Sequence, residues 1–382
     1  MTLRRRHFLV TAGLLSLSGC SVTQPEPTTT TRTGDDEPTT TTTTQTSTPT
    51  ATPTETPTPT ETETPTETPT ETETPTETPV ETPAENEDAR AALTRADFHV
   101  AEAVEIYSDF GNGGLILGVT GATEGFSWTR VANKVRESWD ELDTADALGS
   151  DAQRERSAQL RDVGEFLRLA ARCQDRLVVA YQETVRATDG LYAADNFEFT
   201  AGLNRASDAR TSATNILERI REDTDPENTR ATEALSISEY EQKLAQFEDE
   251  LTANAALADL LRDLDTALGI YEEAVSALFA TEYATAMEDF EEVIGELDVL
   301  IEDFADLDRP RAYDSLVSEL EAATSVLQDA AEDLRDSAIA GDEDDDATRD
   351  DALEDARARL MANATVAEMA LAEAVVDGEF SA

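Results

Sequence analysis

The longest uninterrupted helical pattern in the sequence runs from residue 236 to residue 280 and reads SISEYEQKLAQFEDELTANAALADLLRDLDTALGIYEEAVSALFA. Its apolar residues recur at steps of three and four, first from Ile237 to Leu251 and then, in a shifted register, from Leu261 to Leu278. This spacing predicts one amphipathic helix of about 65 Å. A helix of that length indicates an elongated domain.

The same spacing recurs in the rest of residues 89–382, which contain only two prolines, Pro226 and Pro310, a glycine-rich break at 111–114, and no long stretch that alternates with period two. The pattern predicts an all-α fold. The predicted helices are 88–108, 126–147, 151–188, 195–222, 236–280, 282–306, one with Pro310 in its first turn, and 347–376. Because short turns join them, we expect antiparallel hairpins over 151–222, 236–306 and 310–376, packed side by side as an elongated antiparallel bundle.

Two of the predicted hairpin tips carry a weak internal repeat. Residues 191–197 read LYAADNF and residues 278–283 read LFATEY, and the two align with a one-residue gap. Thr281-Glu282-Tyr283, Ala286 and Phe290 resemble the turn and second helix of a tetratricopeptide repeat. That resemblance covers about a dozen residues and lacks the ~34-residue period of the family, so a generic helical bundle is the main expectation.

The N-terminus has the order of an export signal: a basic start, a short apolar run and small residues, MTLRRRHFLVTAGLLSLSGCS. The apolar run is far shorter than the ~20 residues that a membrane-spanning helix needs. Arg5-Arg6-His7-Phe8-Leu9 resembles the twin-arginine signal, which implies export of the folded protein. Arg4 and Val10 depart from the residues usual beside that motif, and the general secretory route is the alternative.

Leu17-Ser18-Gly19-Cys20 resembles the lipobox of secreted lipoproteins. The resemblance implies that residues 1–19 are a signal peptide removed before Cys20, whose sulfur then carries a diacyl- or dialkyl-glycerol group. Two such chains are sufficient for stable membrane anchoring. We therefore expect the membrane to be a partner through Cys20, and the protein to lie on the outer face of the cytoplasmic membrane. The alternative is an ordinary signal with an incidental cysteine.

Residues 20–88 combine this cysteine with a Thr/Pro/Glu-rich stalk. Twelve of the 14 Pro residues of the chain fall in residues 21–83, where Thr-Glu-Thr-Pro units repeat and almost no side chain is apolar. Such a composition cannot offset the entropy of ordering the backbone, so we expect a disordered spacer stiffened toward polyproline II. A plain linker and an O-glycosylated stalk are both compatible with the sequence.

The charge of the chain excludes one large class of partner. The sequence has 82 acidic and 29 basic residues, for a formal charge of −53, and a nucleic-acid binder needs clustered basic residues instead. Lys134 and Lys243 are the only lysines. Dense acids with scarce Lys resemble the proteins of salt-loving archaea, so the chain resembles a haloarchaeal-type exported lipoprotein. An acidic mesophilic protein is the alternative, and the helical domain itself resembles no recognised family.

The sequence offers little material for catalysis or metal binding, since it contains two His and two Cys. Cys173 lies in an apolar helical segment and is predicted to be a small buried core residue. His99 lies beside an apolar helix face and is predicted to be structural, because no Glu-x-x-His pair accompanies it. The glycines of residues 111–125 lack the Gly-Lys-Ser/Thr ending of a phosphate-binding loop.

Two further segments contain candidate ligands or acceptors. The acidic residues 342–346 begin like a calcium loop, but Ala347 and Leu353 stand where Gly and Glu are required. We expect a solvated turn there, with a hydrated cation cluster as the alternative. Asn363-Ala364-Thr365 is the only N-glycosylation triplet and is predicted to lie within the last helix.

The sequence therefore predicts no catalytic residues, no cofactor and no metal site, and a protein that is not an enzyme. We expect a lipid-anchored, cell-surface lipoprotein whose helical domain is a non-catalytic binding or structural module, with an envelope protein or a solute as partner. One alternative is capture of a cation or small solute between helices. The other is an extracytoplasmic hydrolase that uses only Asp and Glu side chains.

Overall fold

The computed structural model describes residues 86–111 and 114–378. Within these residues the chain forms nine α-helices and no β-strand, which confirms the predicted all-α helical bundle. The helices are α1 (Glu87–Ser108), α2 (Trp128–Leu148), α3 (Asp151–Tyr192), α4 (Asn196–Asp223), α5 (Ile237–Phe279), α6 (Tyr283–Asp306), α7 (Asp314–Asp342), α8 (Asp346–Ala362) and α9 (Ala370–Asp377). Short 3₁₀ segments lie at Ile116–Gly118, Pro226–Ala231 and Val366–Glu368.

Local capping residues account for the ends of the long helices. The Ser236 hydroxyl accepts the Glu239 backbone N–H at 3.2 Å, and the Glu239 carboxylate accepts the Ser236 N–H at 2.9 Å. This reciprocal capping box starts α5 where the sequence predicts it. The preceding helix, α4, ends at Asp223, shortly before Pro226, because a proline cannot continue a helix.

Helix α5 contributes to two hydrophobic clusters in succession. Its N-terminal part, including Tyr240, Phe247 and Leu251, packs in one cluster with residues of α1 to α4. Its C-terminal part, from Ala253 to Leu278, packs chiefly with residues of α6 to α9. The shift in the apolar register that the sequence shows after Leu251 is therefore the point where the helix changes partners.

Three hairpins, α3–α4, α5–α6 and α7–α8, have the same backbone turn. Ala194, Thr281 and Asp344 occupy the left-handed region, with φ of 51°, 63° and 60°. In each turn this residue's N–H bonds to the carbonyl three residues earlier, and the next N–H bonds to the carbonyl five residues earlier. The two tips that share the sequence repeat thus have the same turn, and the turn occurs again at a third tip, between α7 and α8. The gap predicted in the alignment was wrong, because Leu191 and Leu278 hold equivalent positions.

The prediction that Pro310 lies in the first turn of a helix was wrong. The Pro310 carbonyl accepts the Tyr313 N–H at 2.8 Å and forms a separate turn, and α7 begins only at Asp314. Arg309 holds this connection against the end of α6, because its guanidinium donates to the Phe304 carbonyl at 2.7 Å and pairs with Glu321 at 2.7 Å.

The predicted continuous helix 347–376 was also wrong, because it is broken at Asn363. The Asn363 side-chain oxygen accepts the N–H groups of Thr365 at 2.9 Å and Val366 at 3.1 Å. Asn commonly forms such a local cap in competition with the helix. The chain therefore turns after α8, Ala364 is exposed in this turn, and α9 follows as a separate short helix.

Candidate functional site

The residues predicted to direct export and lipidation lie outside the described part of the chain. They are Arg5, Arg6, Phe8, Leu9, Leu17, Ser18, Gly19 and Cys20. Their roles stay predictions. Among the described residues, no helix has the length and apolarity needed to span a bilayer.

His99 is fully engaged by neighbouring charged groups. Its Nδ1 lies 3.0 Å from Glu102 and 3.6 Å from Glu137. The Lys134 ammonium lies between the same carboxylates, 3.3 Å from Glu102 and 2.7 Å from Glu137. The hydrogen bond from His99, and then Lys134, lower the pKa of Glu102. A lysine thus takes the position that a cation would need among these ligands.

Cys173 and the acidic loop both have local structural roles. The Cys173 thiol is buried, lies 3.6 Å from the Ala213 carbonyl oxygen, and has its pKa raised by burial. This confirms the predicted buried core residue. In the loop 342–346, the Asp345 carboxylate accepts the Thr348 N–H at 3.2 Å and the Thr348 hydroxyl at 2.8 Å, which caps α8. The loop side chains are exposed, as expected for a solvated turn.

A buried polar cluster on α5, centred on Lys243, was not predicted from the sequence. This side chain has no solvent exposure. Four oxygen atoms lie within hydrogen-bonding distance of its ammonium: the Val119 carbonyl at 2.7 Å, Gln174 at 2.8 Å, the Ile116 carbonyl at 3.1 Å and Gln246 at 3.2 Å. These carbonyl and amide oxygens can only accept hydrogen bonds. The site is therefore built for an ammonium group.

Glu250 completes the cluster two turns further along α5. Its carboxylate accepts the Gly121 N–H at 2.7 Å and the Gln246 amide at 2.9 Å. Burial raises the pKa of Glu250, and the charge of Lys243 opposes that rise. Burial likewise lowers the pKa of Lys243, and the negative charge of Glu250 opposes that lowering. Together the two side chains fasten the segment 116–121 to α5.

One signal in the sequence could have revealed this cluster. Lys243 is one of only two lysines in the chain and follows Tyr240 by three residues on the apolar stripe of α5. A charged residue at such a position is rarely buried unless it is paired. The aromatic rings of Tyr107 and Phe247, centred 5.3 and 4.8 Å from the ammonium, complete its surroundings.

A second site exists because α5 extends past the end of the hairpin beside it. Helix α3 ends at Tyr192 next to Asp265, whereas α5 continues to Phe279. The step between them is closed on another side by the returning chain at Met369–Leu371. The result is a cavity of about 330 Å³, which we call the α5 notch. Its volume is at the lower end of the range for small-molecule sites, ~300–1,000 Å³.

The lining of the α5 notch combines carboxylates with apolar side chains. Asp265 and Glu272 stand two helical turns apart on α5, and Gly269 lies between them without a side chain. The apolar part of the lining is formed by Leu191, Leu268, Met369 and Leu371. A concave, partly apolar site with few polar groups is the usual form of a ligand site.

The polar groups of the α5 notch are unpaired. No basic side chain of the described residues pairs with Asp265 or Glu272. Burial raises the pKa of Asp265, and burial followed by the charge of Asp265 raises the pKa of Glu272. The Tyr192 hydroxyl oxygen is inaccessible to solvent and has no hydrogen-bond partner among the described residues.

A larger groove beside α1 differs from the α5 notch in its volume and in the pairing of its charged side chains. It encloses about 870 Å³ and is lined by Phe98 and charged residues of α1 and α3. Its Arg156 pairs with Asp97 at 3.4 Å, and Arg230 pairs with Glu227 at 2.7 Å. Its basic groups are thus already neutralised within the protein. The α5 notch is the better candidate site.

Comparison of the chain with protein-family models, with curated proteins and with solved structures finds no match.

Proposed function

We propose that this protein is an exported lipoprotein, anchored to the outer face of the cytoplasmic membrane, whose helical domain is a non-catalytic binding module of the envelope. The observation that carries the proposal is the order of segments: a twin-arginine-like signal, a lipobox at Cys20, a Thr/Pro/Glu-rich spacer and then a helical domain that begins at Glu87. A spacer between anchor and domain serves a protein that acts away from the membrane surface.

The chemistry of the described residues favours binding over catalysis. The Cys173 thiol and the Lys243 ammonium are enclosed in the core and cannot reach a substrate. Asp265 and Glu272 stand on the same face of one helix. The arrangement therefore supports the solute-binding form of the proposal.

Replacement of the lipid-bearing residue tests the anchor. Cys20→Ser should shift the protein from the membrane fraction into the medium, because no lipid can then be attached. The matched control is Cys173→Ala, which removes the other cysteine of the chain and should leave the protein on the membrane. Retention of Cys20→Ser in the membrane fraction would contradict the proposal.

Replacement of the arginine pair tests the export route. Changing both Arg5 and Arg6 to Lys should leave uncleaved precursor in the cytoplasm, because the twin-arginine route reads that pair. Normal export of this variant would assign the protein to the general secretory route instead, without affecting the proposed anchor.

A further inference from the structure

We propose that the α5 notch binds a linear alkane-diammonium ion, with one ammonium group at Asp265 and the other at Glu272. The inference rests on the proposed binding function and names its ligand class. It follows from two unpaired carboxylates, carried by residues two helical turns apart, in the lining of a partly apolar cavity.

The spacing of the carboxylates sets the length of the ligand. Asp265 and Glu272 are seven residues apart, which is about 10.5 Å along the helix axis. A charge-assisted N–H···O bond takes about 2.8 Å at each end, so roughly 5 Å is left between the two nitrogen atoms. An extended chain of about three methylene groups, or a chain of about four with one gauche torsion, spans that distance.

The rest of the lining fits the aliphatic middle of such a molecule. Gly269 lies between the two acids, and a Cβ atom built there meets nothing within 4 Å, so the floor of the notch is open. Leu268 and Leu371 lie beside it and can shelter methylene groups from water.

A metal ion fits the same lining poorly. Ca²⁺ takes about 6–8 oxygen ligands at about 2.3–2.6 Å. The α5 notch offers two carboxylates, which belong to residues two helical turns apart and lie among apolar side chains. The lining therefore favours an organic cation that has an apolar body.

Isothermal titration calorimetry of the full-length protein in detergent tests the assignment, with 1,4-diaminobutane as the probe. We expect one saturable site in molar KCl and at least about tenfold weaker binding of n-butylammonium, because the monoamine can engage only one carboxylate. Asp265→Asn should weaken diamine binding about tenfold. Gly269→Leu should abolish it by filling the floor of the notch.

Two matched controls separate the notch from the general acidity of the protein. Asp263→Asn removes an exposed acid from the same helix, and Gly295→Leu makes the same substitution at a glycine of α6 that also has open space around it. Both variants should bind the diamine like the unmodified protein. Equal loss in Gly295→Leu and Gly269→Leu would overturn the proposal.

Other outcomes would overturn it as well. These are equal affinity for the monoamine and the diamine, binding of Ca²⁺ but not of the diamine, and absence of diamine binding. None of them bears on the anchor, which the location of the Cys20→Ser variant tests separately. If that variant leaves the membrane while the diamine fails to bind, only the ligand assignment is lost.

Discussion

The cluster around Lys243 and the α5 notch place acidic side chains of the same helix in different surroundings. Glu250 accepts hydrogen bonds from Gly121 and Gln246 and lies near the charge of Lys243. Asp265 and Glu272 are partly buried without a basic partner in the described part of the chain. A buried charge whose partners are internal stabilises the fold, whereas a sheltered charge without partners remains available to a ligand. This difference separates a structural site from a binding site where sequence composition cannot.

Dilution of salt has the largest expected effect, because it acts on the whole acidic domain. Molar salt shortens the Debye length to ~3 Å and screens the repulsion among surface carboxylates. Lowering KCl from molar to millimolar levels should therefore reduce helicity measured by far-ultraviolet circular dichroism. Asp265 and Glu272 add to that repulsion, whereas the charge of Glu250 is opposed by the nearby charge of Lys243. Helicity that does not change with salt would remove the argument for a salt-loving source.

The two lysines of the chain offer the next comparison. Lys243→Met leaves several buried acceptors and Glu250 without their cation, which should cost about 3–5 kcal/mol of unfolding free energy. Lys134→Met removes the partly exposed pairs with Glu102 and Glu137 and should cost less than about 1 kcal/mol. Denaturant unfolding in molar KCl measures both. Equal losses would show that the Lys243 cluster does not fasten the fold as described.

Two glycines distinguish a packed position from an open one. A Cβ at Gly190 would lie 2.6 Å from the backbone nitrogen of Phe199, so Gly190→Ala should cost about 1–3 kcal/mol by overpacking the α3–α4 contact. Gly269→Ala meets no neighbour and should raise stability by about 0.5–1 kcal/mol, because Ala favours the helix. Thermal unfolding of the two variants checks the signs. A destabilised Gly269→Ala would mean that the notch is not open.

The smallest effect concerns the notch acids themselves. Burial raises the pKa of Asp265 in the folded state above its value in the unfolded state. The protonated side chain therefore contributes stability that is fully present below the unfolded-state pKa. That contribution is lost as the pH rises through the folded-state pKa. Asp265→Asn should therefore be as stable as the parent protein, or slightly more stable, at neutral pH. The difference should vanish at acidic pH. Denaturant unfolding at both pH values measures it, and a clear loss of stability at neutral pH would assign Asp265 to the structure.

Apolar periodicity was sufficient to predict the bundle. The apolar stripe of α5 predicted one long helix from residue 236 to residue 280, and α4 was predicted to end at residue 222, shortly before Pro226. The error at Asn363 arose because helical spacing continues past it, although the local cap that its side chain offers to Thr365 was visible in the sequence. Pro310 was misplaced for a related reason, because a proline is tolerated both in a first helical turn and in a preceding turn.

The candidate site was beyond prediction for a different reason. The α5 notch depends on where α3 ends beside α5 and on the return of the chain at Met369–Leu371, and neither follows from the period of any one helix. Nothing distinguishes Asp265 and Glu272 in a sequence with 82 acidic residues. Lys243 was readable in principle, since a rare lysine on an apolar stripe indicates a buried, paired charge.

The central claim, that the helical domain is carried by a lipid-anchored mature chain, is tested most directly at its new N-terminus. Mass spectrometry of the N-terminal peptide of protein extracted from membranes should find a chain that begins at Cys20 and carries the added mass of a two-chain lipid. A peptide in which Cys20 is unmodified, or which still contains Leu17-Ser18-Gly19, would contradict the account.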